Sequence, residues 1–121
     1  MGLAVISTVM QPAKLQVDQQ PLANGAIVAR LSGKLSLESV NGFLQELRRL
    51  DAPSLVLDMS GVSFLDSAGV GALVQLFVHR RGKSQKFALA ALTQQGVAIM
   101  QVSGLVKLVP TFPTVEEAAA A

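Results

Sequence analysis

The residues able to do chemistry are few, and they gather at one place. Asp66 and Ser67 stand side by side, Asp58 lies upstream, and His79, the only histidine, follows downstream. Ser, His and Asp are the residue types of a hydrolase triad, in which an imidazole must reach the serine hydroxyl at hydrogen-bond distance. The spacing rules this out. Residues 67 to 79 fall within one helical pattern, and at 1.5 Å per residue Ser67 and His79 are roughly 18 Å apart. No second histidine supplies a base, and the Gly-x-Ser-x-Gly elbow is missing. His79 reads instead as a surface helix residue. Gly69-Val70-Gly71 lacks the third glycine of a dinucleotide fingerprint and the Gly-Lys-Ser/Thr of a Walker loop. Asp58 and Asp66 read as aspartates that cap or hydrogen-bond turns, and no ligand cluster supports a metal. The chain is therefore not read as an enzyme; catalytic residues, cofactors and metals are all expected to be none.

What remains is a serine at a junction. From Leu55 to Leu73 a short apolar run, a polar turn and an apolar pattern of helical period predict a buried strand feeding a helix, with Ser67 at the join. Val70, Leu73, Val74 and Phe77 form the stripe expected to pack. Ala68, Gly71, Ala72, Gln75 and His79 fall on the opposite side, and the first three are small. Ser67 or Asp66 is the expected N-cap, since both side chains accept hydrogen bonds from orphan N–H groups of a first turn. A serine before a helix is most often only a cap. Here an exposed hydroxyl beside a small face with two glycines also offers a partner's backbone close approach.

The elements that must position this junction follow in order. Lys14 to Asp18 alternates as a half-buried strand does. Asn24-Gly25 is a turn signal, and Ala26 to Leu31 reads as a more buried strand, so the two form a hairpin. Ser36 or Ser39 is placed to cap a helix with the stripe Val40, Phe43, Leu44, Leu47 and Leu50, ended by Asp51-Ala52-Pro53. After the central strand and helix, Phe87 to Leu92 is a strand. Thr93 caps a short helix carrying Val97 and Met100, with Gly104 as its left-handed end. Leu108-Val109 is an expected edge strand stopped by Pro110. Thr114-Val115-Glu116-Glu117 is a capping box opening a last helix, and the closing alanines are expected to fray. Strands alternating with helices call for parallel pairing through right-handed crossovers, and the opening hairpin makes the sheet mixed.

Bulk properties narrow the classes further. The 121 residues suit one domain spanning 1–121 with a core over about 14–117, leaving 1–12 and 118–121 as expected flexible ends. With 50% hydrophobic and 15% charged residues the chain reads as a compact domain, not a disordered one. No cysteine is present, which is compatible with a reducing cytoplasm. The first ten residues lack the basic region and cleavage site of a signal peptide, and no apolar run is long enough to span a membrane. A net charge of +2 is too small to imply nucleic acid. The cluster Arg80, Arg81, Lys83 and Lys86 reads as solvated cations at a helix C-terminus. The Arg48-Arg49 and Arg80-Arg81 pairs are too sparse for a membrane-surface helix.

Leu55 to Leu73, and Asp66-Ser67-Ala68-Gly69-Val70-Gly71 within it, resembles the core motif of the STAS domain, as found in bacterial anti-sigma factor antagonists. The element order fits that family over roughly Lys14 to Glu117. The resemblance implies an α/β fold, a single STAS-like domain with a mixed, mostly parallel sheet of four to five strands and about four helices. It further implies that Ser67 is phosphorylated by a partner anti-sigma factor with serine kinase activity. The surface expected to dock on that partner comprises Asp66, Ser67, Ala68, Gly69, Gly71, Ala72, Gln75 and Ser36, and phosphorylation would switch the docking off. One departure stands out: many antagonists carry an acidic residue where this chain has Ser36, preceded here by Lys34-Leu35, which alters the charge offered to a kinase. The alternative within the same resemblance is a STAS subunit of a lipid-transport ABC system, which binds its ATPase without phosphorylation of Ser67.

Overall fold

The computed structural model describes residues 15–121; the expected flexible segment 1–12 lies outside the described residues. Strand β1 (Gln16–Pro21) pairs antiparallel with β2 (Ile27–Leu35), from Gln16 opposite Ser32 to Pro21 opposite Ile27. The turn between them is the one Asn24-Gly25 predicts. Gly25 takes φ +86°, and the Asn24 carboxamide oxygen accepts from the Ala26 N–H at 3.1 Å, the conformation and side-chain bond these residues favour in turns. Helix α1 (Val40–Arg48) leads to β3 (Ser54–Leu65), helix α2 (Ser67–Gly82) to β4 (Lys86–Ala90), and helix α3 (Gln94–Val102) through a 3₁₀ turn to β5 (Thr111–Phe112) and helix α4 (Val115–Ala120). The sheet order is β1-β2-β3-β4-β5, with every pairing after the hairpin parallel. This is the mixed, mostly parallel sheet expected, with five strands and four helices among the described residues.

The sheet divides the interior. On one face α1, α2 and α3 cover the main core, where Leu31 and Leu35 of β2 meet Leu55, Leu57, Met59, Val62 and Leu65 of β3. On the other face α4 covers a smaller cluster around Val28, Val56, Ala88, Ala90 and Ala118.

Several expectations are corrected. β3 runs unbroken for 12 residues from Ser54 to Leu65, and the polar turn that feeds the helix begins only at Asp66. Arg30 and Ser32 of β2 face Asp58 and Gly61 of β3, so the longer path is absorbed by a bulge, with a second irregularity between Gly33 and Lys34. The bulges break strict alternation, so buried Met59, Val62 and Leu65 recur every third residue and imitate a non-strand pattern. Gly61 permits the close approach, since a Cβ there would lie 2.6 Å from the Leu31 carbonyl oxygen.

In α2 the buried arc is wider and rotated from the expected stripe. Gly69, Val70, Ala72, Leu73, Leu76 and Arg80 are buried, while Val74 and Phe77 are only half-buried. The helix packs on the sheet and is flanked by α1 and α3, and its solvent-facing side runs through Ser67, Gly71, Gln75, Val78 and Gly82. In α3, Thr93 caps the Gly96 N–H at 3.1 Å, Met100 is buried, and Gly104 takes φ +75°, all as expected. Val97, by contrast, is 37% exposed, because Gly96 takes the position against the core. The expected edge strand Leu108-Val109 is displaced to Thr111–Phe112. Leu108 and Val109 donate back to the Leu105 carbonyl in the 3₁₀ turn, which turns Val109 inward, and the Pro110 carbonyl then accepts from the Leu89 N–H at 2.9 Å. Thr114 caps α4 by accepting from the Glu117 N–H at 3.1 Å. In place of fraying alanines, α4 continues to Ala120 and buries Ala118 against the sheet.

Arg80 departs most from the reading of solvated cations. It is 1% exposed, and its guanidinium donates to three backbone carbonyls: Nε to Lys86 at 2.9 Å, Nη1 to Leu50 at 3.3 Å and Nη2 to Ala52 at 2.6 Å. Burial lowers its pKa and nearby Asp51 acts against that lowering. Arg81, Lys83 and Lys86 are exposed, as expected. His79 is half-buried, not a surface residue, and its Nε2 is buried with no hydrogen-bond partner among the described residues.

Candidate functional site

The junction between β3 and α2 lies at the C-terminal end of the parallel strands, the usual place for function in open α/β sheets. Asp66 is the N-cap: extended in backbone, it accepts from the Gly69 N–H through Oδ1 at 2.8 Å. Its Oδ2 accepts from the Leu37 N–H at 3.1 Å, so the same carboxylate ties the β2–α1 turn to the start of α2. Ser67 is the first helical residue, exposed, and its hydroxyl enters no hydrogen bond among the described residues. Of the two capping candidates Asp66 therefore takes the role and leaves Ser67 unused.

Ser36 lies in the turn held by Asp66. Neither Ser36 nor Ser39 caps α1 through its side chain. Ser39 holds the N-cap position, but its hydroxyl accepts from the Ser36 N–H at 3.0 Å and donates to the Lys34 carbonyl at 2.8 Å. That arrangement shapes the turn locally, a common use of serine near helix starts. Asp58, the other candidate acid, accepts from the Ser60 N–H and hydroxyl at 3.0 and 2.7 Å and sits 3.6 Å from Arg30. It is a hydrogen-bonding aspartate on the sheet, with no part in the junction.

The remaining expected site residues separate into two groups. Ala68 and Gly71 are partly exposed and Gln75 is exposed, whereas Gly69 and Ala72 are buried. Ala72, 2% exposed, faces a groove of about 430 Å³ between α1 and α2 that Val40, Leu44, Arg48, Ala68 and Gln75 also line. Across it Arg48 donates to the Gln75 side-chain oxygen at 3.1 Å. Gly69 is packed against β2, where a Cβ would lie 2.2 Å from the Leu35 carbonyl oxygen and 2.7 Å from Leu65 Cδ1. The two residues are corrected from docking surface to packing. Their small size serves the fold: Gly69 lets α2 start against β2, and Ala72 lets α1 approach.

The two glycines of the motif are thus predicted to respond oppositely. Gly69→Ala forces backbone against Cβ and should cost about 2 to 3 kcal/mol in urea unfolding. Gly71 has nothing within 4 Å of its would-be Cβ, so Gly71→Ala should raise stability by up to about 1 kcal/mol through helix propensity.

Three features at this end escaped sequence reasoning. Leu37 is 73% exposed and Phe64 is 44% exposed, and both flank the junction. Leu37 was detectable as an apolar residue outside the α1 stripe; Phe64 was hidden by the bulged alternation of β3. The third is Gln95, whose side-chain amide pairs with the backbone of Leu65: Nε2 donates to the Leu65 carbonyl at 2.7 Å and Oε1 accepts from the Leu65 N–H at 3.0 Å. Nothing in a polar helix start marks such a contact.

A bulged, mostly parallel sheet, an exposed serine at the first helical position after its central strand, and a carboxylate holding the neighbouring turn define the class, and the sequence agrees. Residues 14–118 match the STAS domain family, and the chain belongs to it. Among solved structures it is similar to an anti-sigma factor antagonist of Mycobacterium paratuberculosis, with 25% identity and a TM-score of 0.81 over 90% of this chain and 94% of that one. It is similar as well to the Bacillus cell fate determinant SpoIIAA in its phosphorylated form, at 20% identity and a TM-score of 0.67 over 87% of this chain and 97% of that one. A murine anion transporter, solute carrier 26 family member A9, contains the same fold as 24% of its length, at 19% identity and a TM-score of 0.73 over 98% of this chain. These last two likenesses establish fold alone. No helix among the described residues is long and apolar enough to cross a membrane.

Proposed function

We propose that this protein is an anti-sigma factor antagonist, a binding module that docks on an anti-sigma factor with serine kinase activity and is released when that kinase phosphorylates Ser67. The observation that carries the reading is the division of labour at the junction: Asp66 satisfies the helix start, so an exposed Ser67 hydroxyl serves no structural need. Its setting is suited to docking, with exposed Leu37 held beside it through the bond of its N–H to Asp66. A phosphate would add about −1.5 to −2 charges there. The fold tolerates this, since a helix N-terminus favours anions. A desolvated interface does not, least of all beside the Asp66 carboxylate. Family membership, the likeness to the mycobacterial antagonist and the existence of a phosphorylated protein of the same fold support the reading.

The test is intact-mass spectrometry of the protein and its Ser67→Ala variant after incubation with ATP and lysate of the source organism. The expected result is a gain of one phosphate, lost in the variant. No gain, in a lysate that phosphorylates a control antagonist, would refute the kinase-gated reading and favour a STAS subunit that binds an ATPase without modification.

A further inference from the structure

Beyond Asp58, where β4 ends opposite it at Ala90, β3 continues to Leu65 with no strand on its β4 side among the described residues. On the other side Leu65 pairs with Leu35 of β2, and the Asp66 N–H donates to the Leu35 carbonyl at 3.4 Å. In a strand the N–H and C=O of one residue point the same way. For Leu65 that way is toward the missing neighbour, and there the Gln95 amide meets both groups, at 3.0 and 2.7 Å. A carboxamide has the donor and acceptor of a peptide group, so one side chain from the first turn of α3 stands in for one residue of an absent strand. The segment leading into Ser67 is consequently held from both sides, at Leu65 by α3 and at Asp66 by β2 and the Leu37 N–H.

We infer that Gln95 is a positioning residue for Ser67: by pairing with Leu65 it sets where the serine hydroxyl is presented to the phosphorylating enzyme, though it touches no reacting atom itself. The inference rests on the proposed phosphorylation of Ser67. Displacement of a nucleophile by about 1 Å costs on the order of 100-fold in rate when geometry is the main contribution. A side-chain clamp gives partial control, and the expected loss is about tenfold. The substitution Gln95→Glu would not preserve the pairing, since a carboxylate accepts from the Leu65 N–H but has no donor for its carbonyl.

The experiment compares Gln95→Ala and Gln95→Glu with Thr93→Ala, which removes the cap of the same helix but neither side-chain atom of the Leu65 pairing. Initial rates of phosphate transfer to Ser67 are measured from labelled ATP in source-organism lysate, over a range of protein concentrations. Amide hydrogen exchange is followed at Leu65 and through residues 66–69. Both Gln95 variants should lower the maximal rate about tenfold with the half-saturating concentration little changed, and Gln95→Ala, which leaves the Leu65 N–H without its acceptor, should speed exchange at Leu65. Thr93→Ala should stay within about twofold of the wild type in rate. Equal slowing by Thr93→Ala with Leu65 exchange unchanged would show a general effect of α3 stability and overturn the inference, as would Gln95 variants that react at the wild-type rate. Wild-type protein that accepts no phosphate while a control antagonist does would refute the proposed function, and the positioning role with it, and is told apart by that arm alone.

Discussion

Ser67→Asp is expected to weaken binding to the cognate anti-sigma factor by about 100-fold, about 2.7 kcal/mol, while Ser67→Ala binds as the wild type does. The magnitude follows from placing a negative charge at the centre of a docked surface, next to the carboxylate of Asp66. Folding should hardly change. The introduced carboxylate sits in the first turn of α2, where the helix dipole favours it by about 0.3 to 1 kcal/mol, and Ser67 makes no hydrogen bond that the fold would miss. Calorimetric titration with the partner, together with thermal melting of the three proteins, checks both halves. If Ser67→Ala lost binding as fully as Ser67→Asp, the hydroxyl itself and not its charge state would be the recognised feature. If Ser67→Asp melted well below the wild type, the switch would act on the fold and the proposed mechanism would fail.

The second large effect lies at the opposite end of α2. Arg80→Met keeps much of the side-chain volume but removes the donors for the carbonyls of Leu50, Ala52 and Lys86. Buried carbonyls left without partners cost about 1 to 3 kcal/mol each, and structural relaxation recovers part of this. The expected net loss is about 3 to 5 kcal/mol, a large share of the 5 to 15 kcal/mol of an ordinary domain. Arg80→Lys should recover less than half, because an ammonium on a flexible stem cannot serve three carbonyls spread around a planar fork. Urea unfolding monitored by far-UV circular dichroism measures both variants. A loss below about 1 kcal/mol for Arg80→Met would mean that the three carbonyls find other partners.

Arg80 and Gln95 together mark the limit of reading this chain in one dimension. Each satisfies backbone groups that an interrupted sheet or the end of a helix leaves open. Arg80 does so where α1 ends and β3 and β4 begin; Gln95 does so where β3 outruns β4. Their partners lie 28 to 30 positions away, apart from Lys86, and neither residue differs in type from those that cover any helix surface. Burial of Gly69 and Ala72 was hidden for a related reason. Small residues at helical spacing look alike whether they admit a partner protein or another helix of the same chain, and only the position of α1 and the Leu35 carbonyl separates the two.

Local physics, by contrast, was written out in residue order. The Asn24-Gly25 turn, the Thr93 and Thr114 caps, the left-handed Gly104 and the alternation of strands with helices depend on groups within a few positions of one another, so residue types alone determined them, and with them the mixed, mostly parallel sheet. The sequence also determined that Asp66 and Ser67 meet at the start of the central helix. The tertiary structure decided which of the two caps it. Asp66 reaches the Gly69 N–H and the Leu37 N–H at once, and only packing the β2–α1 turn against that helix makes the second bond available and leaves the serine free.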